Sequence, residues 1–229
     1  MTDGSRAFVF DAYGTLFDVA GAARAAAAEP GGEALAEAWP ELAGHWRDRQ
    51  LQYTWLRSLA GDHADFAAVT ADALDWAMER MALAGGELRA RLLTLYDVLP
   101  AYPEAAGALG ALRAAGHRTA ILSNGTPAML ASAIEASGLG EFDAVISAEE
   151  AGIYKVSPRV YDLVEARLGT RPERVTFVSA NGWDAAGAAS YGFRAIWVNR
   201  RGEPVERLPG RPARILADLS GLGDDAPPS

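Results

Sequence analysis

Ala7-Phe8-Val9-Phe10-Asp11-Ala12-Tyr13-Gly14-Thr15 places four apolar residues in a row, then a carboxylate, then a turn. An apolar run this short, with no alternation, fits a strand covered on both faces, because a strand with one wet face would alternate. Four further runs have the same form: Thr119–Leu122, Ala144–Ile146, Val175–Val178 and Ala195–Val198. Helical segments separate them. Pro103 opens one that runs to Gly116, a glycine suited to a C-terminal stop. Thr126-Pro127 opens a second that ends near Gly138, and Ser157-Pro158 a third, with serine at the N-cap and proline in the first turn. Strand–helix alternation of this kind predicts a parallel α/β sheet with right-handed crossovers.

Residues 20–98 read differently. They are rich in Ala, Leu, Glu and Arg at helical spacing and hold no convincing strand; Ala22–Ala28 is a plain helix former. The expected fold is therefore a Rossmann-like parallel-sheet core made of 1–19 and 99–229, with a helical cap subdomain, 20–98, inserted after the first strand. Gly221–Ser229, built of Gly, Asp and Pro among few other residues, is expected to fray.

Composition narrows the function classes. The 229 residues suit one large domain or a core with an inserted subdomain. There is no cysteine, which excludes disulfides, thiolate metal sites and a cysteine nucleophile. His45, His63 and His117 match no ligand spacing. A formal net charge of -9 disfavours nucleic acid and anionic membranes as partners. The start has no charged region followed by a long apolar run, and no apolar segment approaches the ~20 residues of a membrane helix, so a cytoplasmic protein is expected.

In a parallel sheet, ligands collect beyond the carboxyl ends of the strands. Polar residues stand there in four places. Asp11 follows the first strand, where a carboxylate can attack an electrophilic carbon or merely cap a turn. Ser123-Asn124-Gly125 follows the second and suits an anion-binding nest or ordinary N-capping. Lys155, just before the helix at Pro158, balances a carboxylate or sits solvated on the surface, and Tyr161 lies on the first turns of that helix. Asp184, in Ser179-Ala180-Asn181-Gly182-Trp183-Asp184 after the fourth strand, activates water or caps the helix through Ala185-Ala186-Gly187-Ala188.

These four stretches, in this order, resemble the haloacid dehalogenase superfamily, and the similarity covers nearly the whole chain. Its phosphatases carry a second aspartate two residues after the first; here that position is Tyr13. They also carry an acidic pair in the fourth motif, where this chain has Ser179, Ala180 and Asn181. Two expected oxygen ligands of Mg²⁺ are thus missing, as is the acid that would protonate a leaving alkoxide; a halide needs no such proton. Asp11, Tyr13-Gly14-Thr15-Leu16-Phe17, Leu122-Ser123-Asn124-Gly125, Tyr154-Lys155, Arg159-Val160-Tyr161 and Trp183-Asp184 are similar to the L-2-haloacid dehalogenases. So is the stretch from Trp46-Arg47 through Gln50-Leu51 to Tyr53-Thr54-Trp55-Leu56-Arg57. Ala180, Gly182, Asp48 and Val156-Ser157 depart from that subfamily's usual residues.

The resemblance implies an enzyme that converts small (S)-2-haloacids to (R)-2-hydroxyacids without cofactor or metal. Asp11 is the implied nucleophile, forming an aspartyl ester. Asp184 activates water, with Lys155, Asn181, Thr15 and Ser179 completing the catalytic group. Ser123 meets the substrate carboxylate. Arg47, Asn124 and Trp183 cradle the halide, Tyr13, Leu51, Phe66 and Trp183 wall the alkyl pocket, and Tyr161 supports Lys155 or closes the site. It also implies a homodimer. The rival readings are a Mg²⁺-dependent phosphatase of the same superfamily and a binding protein that has kept the fold and lost catalysis.

Overall fold

The computed structural model describes residues 6–28, 33–83 and 85–225. Its elements run in the order β1 (Ala7–Phe10), α1 (Val19–Ala27), α2 (Glu33–Ala60), α3 (Phe66–Arg80), α4 (Gly86–Thr94), α5 (Ala105–Ala114), β2 (Arg118–Ser123), α6 (Pro127–Ser137), β3 (Ala144–Ser147), α7 (Pro158–Leu168), β4 (Val175–Ser179), α8 (Gly182–Tyr191), β5 (Arg194–Val198) and β6 (Arg214–Leu216). The strands form one parallel sheet in the order β3-β2-β1-β4-β5-β6. All five sequence-predicted strands are present, most extended by a residue. The sixth, β6, was not expected: it has three residues, opens on Arg214 and exposes Ile215, so it lacks the apolar run that marked the others.

Every residue of β1 and β4 is buried. That follows from their place: β1 lies between β2 and β4, and an interior parallel strand is covered on both faces. The chain steps from β1 to β2 and β3 on one side, then resumes with β4 on the other. The order reverses between β1 and β4, which is where open α/β sheets form their ligand crevice. Register brings Phe10 level with Ile121 and Val178, so the residues that follow these strands emerge side by side. Caps fix where the next helices begin: Thr126 accepts from the Met129 amide at 3.2 Å to start α6, and Asp65 accepts from the Ala68 amide at 2.7 Å to start α3.

Between β1 and β2 the described residues of 20–98 are helical, with one 3-10 turn at Leu95–Asp97 and no strand. Helices α2 and α3 pack as a pair. The Trp46 indole donates to Thr70 O at 2.8 Å, and the Gln50 amide to Thr70 Oγ1 at 2.7 Å. The chain leaves and re-enters the sheet layer at one place: Asp18 N donates to Pro100 O (2.8 Å) and Tyr102 N to Leu16 O (2.9 Å). Leu219–Asp225 is a short 3-10 helix with Leu219 and Leu222 buried, so the first part of the stretch expected to fray is ordered; residues 226–229 lie outside the described residues. No helix among the described residues is long and apolar enough to cross a membrane.

Candidate active site

Asp11 is the first residue beyond β1 and only 6% exposed. Its amide donates to Val178 O at 2.9 Å, so the two neighbouring strands set its position through the backbone. The carboxylate then takes three donors. Lys155 Nζ lies 3.1 Å from Oδ1, while Thr15 Oγ1 and Asn181 Nδ2 each lie 2.9 Å from Oδ2. Thr15 reaches back because the turn closes on itself through Thr15 N and Leu16 N to Ala12 O, and the left-handed φ of 84° at Gly14 suits a glycine. The Thr15 hydroxyl also accepts from Ala180 N at 2.8 Å, tying the loops after β1 and β4 together.

Lys155 is 1% exposed and lies between two carboxylates, with Asp184 Oδ2 at 2.8 Å. Burial works against its charge, but Asp11 and Asp184 outweigh burial and hold the ammonium above its usual pKa. A surface lysine is thereby excluded. Its backbone amide donates to Asn124 Oδ1 at 3.1 Å, fixing the loop that carries it to the end of β2.

Asp184 is fully buried in the first turn of α8, and Asn181, not Asp184, occupies the N-cap position. Besides Lys155 it receives Tyr161 OH at 2.9 Å and Ser179 Oγ at 3.1 Å. Burial raises its pKa, the Lys155 charge opposes the rise, and Asp11 adds to it. Burial and the neighbouring Asp184 keep the Tyr161 hydroxyl protonated, and it donates to Asp184 with none of its bonds going to Lys155. Ser179 Oγ accepts in turn from Asn181 N at 3.1 Å.

The helical insertion adds the facing groups. Arg47 of α2 donates to Asn181 Oδ1, so Asn181 links Arg47 to Asp11. Arg47 is thus turned toward the sheet, away from pairing with its exposed neighbour Asp48. Leu51, four residues on, lies on the same face of α2 and is half-buried. Phe66, the first residue of α3, stacks on Tyr13 with ring centroids 6.1 Å apart. Tyr13 also covers Gly125, where a Cβ would come within 2.8 Å of its ring. Trp183 stands half-buried and edge-on to Trp55 of α2 at 5.5 Å. Ser123 is fully buried at the end of β2, its hydroxyl accepting from Gly125 N at 3.1 Å.

Three contributors were given no role from the sequence. Trp55 carries Trp183. Glu149 accepts from Phe66 N and pairs with His63, both at 2.9 Å, so an acid after β3 anchors the start of α3. Arg200 holds the loop after β1 from behind. Glu149 and Arg200 both follow strands at their carboxyl ends, the same signal that revealed Asp11.

A haloacid dehalogenase-like hydrolase family model matches residues 5–192. The chain belongs to that family. It is 49% identical to (S)-2-haloacid dehalogenase 1 of Pseudomonas sp. (strain CBS-3), covering 96% of each chain. Among solved structures it is similar to a dehalogenase with intermediate complex, at 42% identity, a TM-score of 0.89 and 98% of each chain. It is also similar to the L-2-haloacid dehalogenase of Xanthobacter autotrophicus with chloropropionic acid covalently bound, at 36% identity and a TM-score of 0.82, over 96% of this chain and 97% of that one. Within this hydrolase family, the departures of the chain from the phosphatase pattern are local: the tyrosine two residues after Asp11, and the loop 179–181.

Proposed function

We propose that this member of the family is a hydrolytic dehalogenase, cutting the carbon–halogen bond of small (S)-2-haloacids and yielding (R)-2-hydroxyacids. The observation that carries the reading is the Asp11–Lys155–Asp184 arrangement: one ammonium lies between two buried carboxylates at 3.1 and 2.8 Å. A Mg²⁺-dependent phosphatase of the same superfamily shares the lysine but needs further acids to hold its dication, and here Tyr13 and the loop Ser179-Ala180-Asn181 stand where those acids would be. The relative with chloropropionic acid covalently bound supports an ester on the chain.

In the first step an oxygen of Asp11 attacks the carbon bearing the halogen from the face opposite the halogen. A carbon–oxygen bond forms, the halide leaves with its electron pair, and that carbon inverts. Arg47, Asn124 and Trp183 receive the halide. Ser123 and the backbone amides after Asp11 hold the substrate carboxylate, while Tyr13, Leu51, Phe66 and Trp183 enclose the alkyl group. In the second step Asp184 takes a proton from water as it attacks the carbonyl carbon of Asp11. Lys155 and Asn181 orient that water, and Thr15 and Ser179 hold the two aspartates. The tetrahedral adduct collapses, the product alkoxide takes up the proton held by Asp184, and Asp11 retains one oxygen from water and releases that oxygen's remaining proton to solvent, which restores the carboxylate. No cofactor or metal enters either step.

We assign residues 1–19 and 99–229 to the core and 20–98 to the cap, with the pocket between them. A cytoplasmic homodimer completes the reading. Leu56 and Leu59, three residues apart on α2 and 58% and 86% exposed, support self-association through the cap, and sedimentation of the purified chain as a monomer would remove it.

The decisive assay is halide release from separate L- and D-2-chloropropionate, with and without a chelator, beside an Asp11→Asn control. Release from the L-enantiomer alone, insensitive to chelator and lost in the control, is expected. Metal-stimulated phosphate ester hydrolysis without halide release would overturn the reading.

A further inference from the structure

Behind the loop that carries Asp11 lies a cation that takes no part in either chemical step. Arg200 stands two residues past β5, its side chain only 16% exposed. Its Nε donates to Gly14 O at 3.3 Å and its Nη2 to Thr15 O at 3.0 Å. Its Nη1 pairs with Glu104 Oε1 at 2.7 Å, and its central carbon lies 3.6 Å from the centroid of the Tyr102 ring. The contacts thus divide between two segments. Gly14 and Thr15 belong to the turn whose threonine bonds Asp11. Tyr102 and Glu104 belong to the segment by which the chain returns from the helical insertion, already joined to residues 16–18 through Tyr102 N and Asp18 N.

We infer that Arg200 is a positioning residue for the reaction: it holds the carbonyls of Gly14 and Thr15 so that the Thr15 hydroxyl stays on Asp11, and it couples that turn to the returning segment. Only a planar fork with several donors addresses two successive carbonyls and a carboxylate at once while stacking on a ring; an ammonium cannot reproduce that geometry. The turn at 12–17 and the segment 100–104 are therefore one mechanical unit, and the position of the helical insertion is felt at the nucleophile. The consequence for turnover rests on the reading of Asp11 as nucleophile; the mechanical coupling does not.

Two measurements on wild type, Arg200→Ala and Arg200→Lys test this together. In halide release, Arg200→Ala is expected to lose about a hundredfold in kcat with KM within about twofold, because a misplaced nucleophile slows the chemistry without removing a substrate contact. Arg200→Lys recovers little of the loss, and free guanidinium added to Arg200→Ala recovers part of it. In amide hydrogen exchange, 12–17 and 100–104 are expected to speed up together in Arg200→Ala. Unchanged kcat, or exchange that rises only around 199–203, overturns the inference. If Arg200→Ala does not fold, Glu104→Gln replaces it; kcat is expected to fall by up to about fivefold with exchange rising in the same two segments, and no change in either overturns the inference. If the wild type releases no halide, the proposed function fails while the exchange result still decides the coupling.

Discussion

The two walls of the site are built differently. On the sheet side, Asp11, Lys155, Asp184, Thr15 and Ser179 are all buried, and each is bonded to at least one of the others. On the helical side Arg47, Leu51 and Trp55 are half-buried; Arg47 reaches the sheet through a bond to Asn181 and Trp55 through ring contact with Trp183. On the proposed roles, the reacting carboxylates and their lysine stand on the sheet side among buried partners, whereas Arg47 and Leu51, which meet the substrate from the other side, stand on a helix and are only half-buried. Loss of a sheet-side group should therefore damage stability and chemistry together, whereas loss of a helical-side group should spare stability.

The largest expected effect is at the middle of the sheet-side cluster. Lys155→Ala leaves Asp11 and Asp184 as neighbouring buried carboxylates without their countercharge, which costs about 3–5 kcal/mol and abolishes turnover. Chemical denaturation measures the first and halide release the second. A variant within about 1 kcal/mol of wild type would break the comparison.

Arg47→Ala provides the contrast. Halide release is expected to fall about a hundredfold, since on the proposed role a donor for the developing halide charge is lost. Stability should move by less than about 1 kcal/mol, because the side chain is half-buried and its loss opens no sealed core. Equal losses of stability at Arg47 and Lys155 would show that the two walls do not differ.

A pH experiment sharpens the sheet-side account. Burial raises the Asp184 pKa above the ordinary 3.8, so the folded state holds that proton more tightly than the unfolded chain does. Its contribution to stability is therefore full below 3.8 and is lost as pH rises through the raised value. On the proposed role, activity runs the other way: a water-activating Asp184 must be ionised to accept a proton, so kcat is expected to climb with pH through that value. The bond from Tyr161 pulls the pKa down. Tyr161→Phe should accordingly move the acid limb of kcat to higher pH; a limb that stays put or moves down contradicts the assignment. Lys155, raised above 10.5, keeps its stabilising charge throughout the neutral range and loses it only when pH climbs past its folded value.

The smallest effect is expected at Glu149. Its pair with His63 is partly exposed, and glutamine keeps an oxygen for the Phe66 amide, so Glu149→Gln should cost under about 1 kcal/mol. Thermal denaturation at neutral pH checks it, and a larger loss would place the start of α3 among the rigid parts of the molecule.

The contrast between the walls also bears on what could be read from the sequence. Interior strands such as Ala7–Phe10 announce themselves, because burial on both faces favours an unbroken apolar run, and Asp11, Ser123 and Ser179 are legible as the polar residues that end such runs. Strand β6 is not, since an edge strand of three residues with an exposed isoleucine has no such demand. Arg47 shows the harder case. Its periodicity places it on a helix, but nothing local distinguishes an arginine turned toward Asn181 from one paired to Asp48; only resemblance to the L-2-haloacid dehalogenases did. Tyr161 was legible as a site residue, yet its partner Asp184 depends on how α7 and α8 pack across 23 residues of chain. Arg200 was not read from the sequence: it follows the fifth strand, but its partners Gly14 and Thr15 lie some 185 residues away and carry no mark of it.

The most direct test of the central claim is a single turnover of L-2-chloropropionate in water enriched in heavy oxygen, followed by mass analysis of the peptide bearing Asp11. If Asp11 forms the ester and water cleaves it at the carbonyl, the label is found in Asp11 and the first product molecule carries none. Label in the product with Asp11 unlabelled would mean that water attacks the substrate directly and that Asp11 is not the nucleophile.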